Sequence, residues 1–161
     1  MRLPKFEMFR HLLAPSALVA ASLALGVAPT MAGECPADKV GIDVTPMSNM
    51  AAKGVTDDVI GKINLNDEKV GISRMFRLRR LEVQPGGVVP WHSHGDRPAI
   101  IYIVSGSITE YASTCAVPIE HKAGDVSAET MRTSHWWRNN GSEPTVLLSS
   151  DLLADPADTN M

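Results

Sequence analysis

Much of the second half of this sequence repeats every two residues, the period of an extended chain. From Arg74 to Val83 apolar and basic residues nearly alternate, until Gln84-Pro85-Gly86-Gly87 interrupts them. Successive side chains of a strand point to opposite faces, so this pattern predicts a half-buried strand. Ala99 to Val104, AIIYIV, is nearly continuous in apolar residues and predicts a strand buried on both faces. Ser105-Gly106-Ser107 turns the chain, and Ile108 to Ala112 returns. Ala123-Gly124-Asp125 marks another turn and Ser134 to Arg138 a short aromatic strand. Asn139-Asn140-Gly141-Ser142 is a hairpin signal, Thr145 to Ser150 a further strand, and Asp151 the start of a polar tail. Short, evenly spaced strands separated by turn residues predict an all-β sandwich or barrel. Residues 34 to 70 are broken by Pro and Gly. Within them Met47 to Lys53 is expected as a helical turn, and Val59 to Leu65 as an edge strand weakened by Gly61.

The N-terminus has another pattern. Arg2, Lys5 and Arg10 precede an apolar run from Leu12 to Pro29, and Thr30-Met31-Ala32 ends on small residues. That is the layout of a secretory signal peptide. Leu12 to Ala32 also approaches the length of a membrane span, so an uncleaved anchor is the alternative. Pro15 and Pro29 shorten the run and favour cleavage after Ala32. Removing 32 of 161 residues leaves 129, and the formal charge moves from −3 to −5 because the removed segment carries three basic residues and Glu7. The expected organisation is a signal peptide over 1–32, an extension over 33–72, a β-domain over 73–152 and a polar tail over 153–161. The mature protein is then secreted or periplasmic, with no membrane span after cleavage.

Composition changes this picture little. The chain is 44% hydrophobic and 20% charged, which fits one folded domain and offers no basic surface for nucleic acid. Two cysteines, Cys35 and Cys115, suit a disulfide in an oxidising compartment, with two free thiols or one redox-active thiol as the alternative.

The chemistry is concentrated at His92 and His94. On an extended strand they share a face, and two imidazoles on one face can reach one ion. His135 lies beside Trp136 and Trp137 in another strand candidate, and a barrel can bring it to the same interior. His121, between Glu120 and Lys122, is expected in a solvated loop.

At these residues the chain resembles the cupin superfamily. Gly86, five residues, His92-Ser93-His94 and Gly106 reproduce the frame of the first cupin motif, with Ala99 where a Glu is expected. Gly124, His135 and Asn139 reproduce the frame of the second, with Thr130 and Arg132 in place of its turn residues. The resemblance implies a small jelly-roll barrel binding one divalent metal through His92, His94 and His135. Fe(II) is the first candidate, with zinc, nickel, copper and manganese as alternatives. Asp96 is a weaker candidate for the missing carboxylate. Three neutral ligands leave the ion its full charge and open positions. That implies an exported, Fe(II)-dependent, dioxygenase-like oxidoreductase acting on a small organic molecule. The alternatives are a non-catalytic module that binds metal or a small ligand, and a purely structural barrel. Tyr102 and Trp137 are candidate pocket walls. Arg97 and Arg132, with Arg77 and Arg79, are candidate partners of an anionic group. A homodimer is implied by the resemblance alone.

Overall fold

The computed structural model describes residues 33–155. The expected signal peptide and the last residues of the tail lie outside them. Eight strands form one antiparallel sheet: β1 (Lys53–Asn64), β2 (Met75–Ser93), β3 (Ala99–Ser105), β4 (Ser107–Ala112), β5 (Ile119–Lys122), β6 (Val126–Glu129), β7 (Ser134–Arg138) and β8 (Thr145–Leu153). Their order is β5-β4-β7-β2-β8-β3-β6, with β1 paired to β2 outside this path. The sheet curls into a nearly closed barrel, the expected all-β jelly roll.

The alternation along each strand decides what faces inward. Leu81 and Val83 of β2, Ile101 and Ile103 of β3, Ile108 of β4, Trp137 of β7 and Leu147 of β8 form the core, joined by Val89. On β3 the same alternation turns Ile100, Tyr102 and Val104 outward, each more than 40% exposed. The AIIYIV run is thus buried on one face only, because among the described residues no second layer covers the outside of this sheet.

Four further local expectations change. Gln84 to Gly87 does not end the strand. β2 continues to Ser93 but exchanges partners, pairing with β8 up to Val83 and with β7 from Val88. Met47 to Met50 form no helix, and β1 starts six residues before the expected edge strand, at Lys53 rather than Val59, with register shifts at Lys53/Val55 and Val59/Gly61. β8 runs on through Asp151 to Leu153, so Asp151 belongs to the barrel. The Gly106 turn of the first motif frame has φ +79°, and a Cβ there would meet the Pro144 carbonyl oxygen at 2.8 Å. Only glycine fits that turn.

The extension is tied to the barrel by the Cys35–Cys115 disulfide, which closes a loop of sequence separation 80. The bridge packs with Ala112, Val117 and Ile119 in a small second core. Chain entropy alone assigns such a loop about 4 kcal/mol. The double substitution Cys35→Ser, Cys115→Ser is expected to lower unfolding free energy by about 2–5 kcal/mol in a urea titration. Among the described residues no helix is long and apolar enough to cross a membrane. That and the disulfide are compatible with an extracellular location.

Candidate metal centre

β2 and β7 pair so that His92 stands directly opposite His135. His94 follows two residues later, where its backbone N–H holds the Thr133 carbonyl at 2.8 Å. The three rings converge. Nε2 of His92 is 3.1 Å from Nε2 of His94 and of His135, and the latter two are 3.0 Å apart.

The outer nitrogens explain this arrangement. His92 Nδ1 lies 2.9 Å from the Pro90 carbonyl, and His94 Nδ1 lies 2.8 Å from the Arg97 carbonyl. A carbonyl only accepts, so each Nδ1 donates and each Nε2 is left with a lone pair. Burial pushes the pKa of His92 down to about 2 and that of His94 down to about 4, which keeps both rings neutral. His135 Nδ1 donates to Glu110 Oε1 at 2.7 Å. Burial disfavours a charge on His135, but the Glu129 and Glu110 carboxylates outweigh it and raise its pKa.

The donor set fits a divalent metal. Nitrogens ~2.1 Å from an ion at right angles stand about 3.0 Å apart, against about 3.4 Å at tetrahedral angles. The triangle matches the first spacing and thus a facial set of three ligands, which leaves room for others.

Sequence reasoning missed the shell behind His135. Glu110, 2% exposed, sits between two histidines, with Oε1 on His135 and Oε2 2.9 Å from His121 Nε2. Burial alone would raise its pKa, yet the hydrogen bonds from His121 and His135 hold it at about 2. His121, expected in solvent, is fully buried and packs on Trp137 with ring centroids 4.7 Å apart. It lies in β5, where alternation with Ile119 turns it inward. Glu129 is 3.5 Å from His135 Nδ1 and accepts from the Ser127 hydroxyl at 2.6 Å. Burial raises its pKa, and the neighbouring Glu110 adds to the effect. The sequence did carry a signal. In β4, Glu110 alternates with Ile108 and Ala112, a polar residue on a core-facing register.

Ala99 explains where the carboxylates went. It is buried, and its cross-strand partners are Glu129 on β6 and Asp151 on β8. Partners across an antiparallel pair share a face. The space beside position 99 is therefore flanked by two acidic residues, each already engaged. Asp96 stays exposed on its turn.

A cavity of about 20 Å³ adjoins His92 and His94. Leu81, Val89, Ile101, Leu147 and Trp137 give it an apolar wall, with Arg79 and Ser149 at the side. Among the other pocket candidates, Tyr102 faces outward at 44% exposure and Arg132 lines a separate surface groove with Thr130 and Thr133. Neither is a wall of this cavity. Arg97 is buried near Asp151, with Nε 4.0 Å from Oδ2. Arg77 and Arg79 are turned to the same carboxylate, Arg77 through two hydrogen bonds of 2.9 and 2.7 Å. Arg79 also holds both oxygens of Asp57. These arginines are engaged with Asp57 and Asp151 and do not form a free anion clamp.

Glu110→Gln removes the charge facing His135 and should weaken metal affinity by about 10- to 100-fold, read by competition with a chromogenic chelator.

A barrel of this topology with three converging histidines offers a potential metal site. A family profile described as the cupin domain matches residues 79–151, and this chain belongs to the cupin superfamily. Two matches among curated proteins both carry the name Germin-like protein 5-1, from Oryza sativa subsp. japonica. One is 34% identical over 82 residues, covering 48% of this chain and 36% of the relative. The other is 28% identical over 108 residues, covering 63% of this chain and 49% of the relative. The chain thus spans half or less of the length of these relatives. Among solved structures it is similar to a double-stranded β-helix protein from Klebsiella pneumoniae, with TM-score 0.52 and 18% identity over 70% of this chain and 85% of that one. It is also similar to the cupin domain of Schizosaccharomyces pombe Cnp3, with TM-score 0.50 and 15% identity over 65% of each chain. At these identities the structures show the fold alone.

Proposed function

We propose that this protein binds one divalent metal, Fe(II) first, through His92, His94 and His135, and acts as an exported, oxygen-dependent oxidoreductase on a small organic molecule. The observation that carries the reading is the triangle of three Nε2 atoms, 3.0–3.1 Å apart, whose outer nitrogens all face acceptors. A facial nitrogen set with free positions suits non-haem iron. When bound, Fe(II) supplies a Lewis-acidic position and one-electron chemistry with dioxygen.

The protein's own residues do the rest. The carbonyls of Pro90 and Arg97 fix two ring tautomers and Glu110 fixes the third. The apolar wall from Leu81 to Trp137 keeps water from the side of the ion that faces the core. Because Arg77 and Arg79 are paired with Asp57 and Asp151, the cavity favours a small neutral reactant over the anionic one suggested by the sequence. Iron(II)-loaded protein should consume oxygen in an electrode cell when given the right member of a panel of small alcohols, thiols and phenols. Stoichiometric iron without oxygen uptake from any of them would instead support the non-catalytic metal-binding module, which the small cavity also favours.

The outward row of Phe76, Leu78, Ile100, Tyr102 and Val126 offers a second copy an apolar face. Light scattering at about 100 µM is expected to give the mass of two chains, and the mass of one would contradict a homodimer.

A further inference from the structure

Among the described residues, Nδ1 of His121 is the only buried side-chain polar atom without a hydrogen-bond partner. Its ring is fully buried, and Nε2 faces the Glu110 carboxylate. Nε2 therefore donates, and Nδ1 is a buried acceptor that needs a donor. The residue facing it is Gly33. A methyl group on Gly33 would stand 3.2 Å from His121 Nδ1 and 3.1 and 3.2 Å from Cβ and Cγ of Asp125. Gly33 is buried, with its backbone N–H on the Glu120 carbonyl at 3.1 Å. Two residues on, Cys35 is bonded to Cys115, which anchors the segment there.

We propose that cleavage after Ala32 frees an α-ammonium group on Gly33 that docks on His121 Nδ1 and completes a relay through Glu110 to the metal ligand His135. Hydrolysis breaks the Ala32–Gly33 amide. The water oxygen goes to the Ala32 carboxylate, and the nitrogen of Gly33 becomes an amine that is protonated near neutral pH. One N–H at residue 33 becomes three, at the one place where a buried acceptor lacks a donor. Glycine is what makes the docking possible. A turn of about 120° about its Cα–C bond sets the freed nitrogen where a methyl group would stand, at hydrogen-bonding distance from Nδ1. Asp125 beside it offsets the charge. Any other residue would put a side chain against His121. Gly33 thus acts as a positioning residue, through His121 and Glu110, and export processing finishes the shell behind the metal centre. The proposal rests on cleavage after Ala32 and not on the identity of the metal.

The intact mass of the exported protein should correspond to a chain that starts at Gly33. Thermal unfolding is then compared for oxidised chains starting at Gly33 and at Ala32, each with His121 and with His121→Phe. The Gly33 start is expected to raise Tm by at least about 3 °C, and His121→Phe should reduce that difference to below about 1 °C. In the folded wild-type protein the Gly33 amine should acylate at least about tenfold more slowly than in the urea-unfolded chain, a reading that does not depend on the variant folding. A mature chain starting at another residue, equal Tm values, a difference that survives His121→Phe or equal acylation rates would each overturn the proposal. Metal content of the same samples reads the metal centre separately.

Discussion

Replacing Asp151 with Ala is expected to cost the fold about 3–5 kcal/mol, enough to unfold a small domain near 37 °C. Asp151 is 1% exposed and is the shared counter-charge of Arg77, Arg79 and Arg97. Without it three cations face the barrel interior with Asp57 as the remaining acidic partner of Arg79. An uncompensated buried charge costs more than the pair contributed, which is why breaking such a cluster is worse than never having built it. Asp151→Asn keeps the shape and some hydrogen bonds but not the charge, so its loss should be close to that of Asp151→Ala. Urea titrations of both variants read the effect. A loss below about 1 kcal/mol would mean that water reaches the cluster and screens it.

His135→Ala is expected to abolish tight metal binding, lowering affinity by well over the roughly hundredfold that even an outer-shell change can cost. It removes one of three nitrogens and leaves Glu110 and Glu129 facing each other across the gap. His92→Ala provides the control, because His92 is less buried and touches neither carboxylate. It should lose metal to a similar extent while remaining folded by circular dichroism. Isothermal titration of the wild-type protein in buffers of different ionisation enthalpy should show proton release on metal binding, because Glu129 and Glu110 raise the pKa of His135 and a metal ligand must be neutral.

The fold was legible where alternation was clean. Ser134 to Arg138 became β7 at its expected bounds, and AIIYIV became β3. The glycine and histidine spacings carried the barrel and brought His92, His94 and His135 to one point. What was not legible depends on sheet partners. Gln84 to Gly87 read as a break because a change of neighbouring strand and an end of strand use the same residues. His121 and Asp151 carry polar side chains that suggest solvent, but their register places them inside. His121 follows Ile119 by two, and Asp151 follows Leu147 by four, so both fall on inward positions. Their cost inside is met by partners far away in sequence, Glu110 for one and three arginines for the other. No local pattern could reveal those pairings. Tyr102 failed as a pocket wall for the same reason in reverse, since its register points outward.

Whether His92, His94 and His135 hold a metal is read from the metal content of the mature protein, purified without a histidine tag and measured by elemental analysis. The expected result is about one divalent ion per chain, iron when the protein is prepared without air, and its loss in His135→Ala. A wild-type protein that binds no metal even after anaerobic reconstitution with Fe(II), or a His135→Ala variant that keeps one ion per chain, would contradict it.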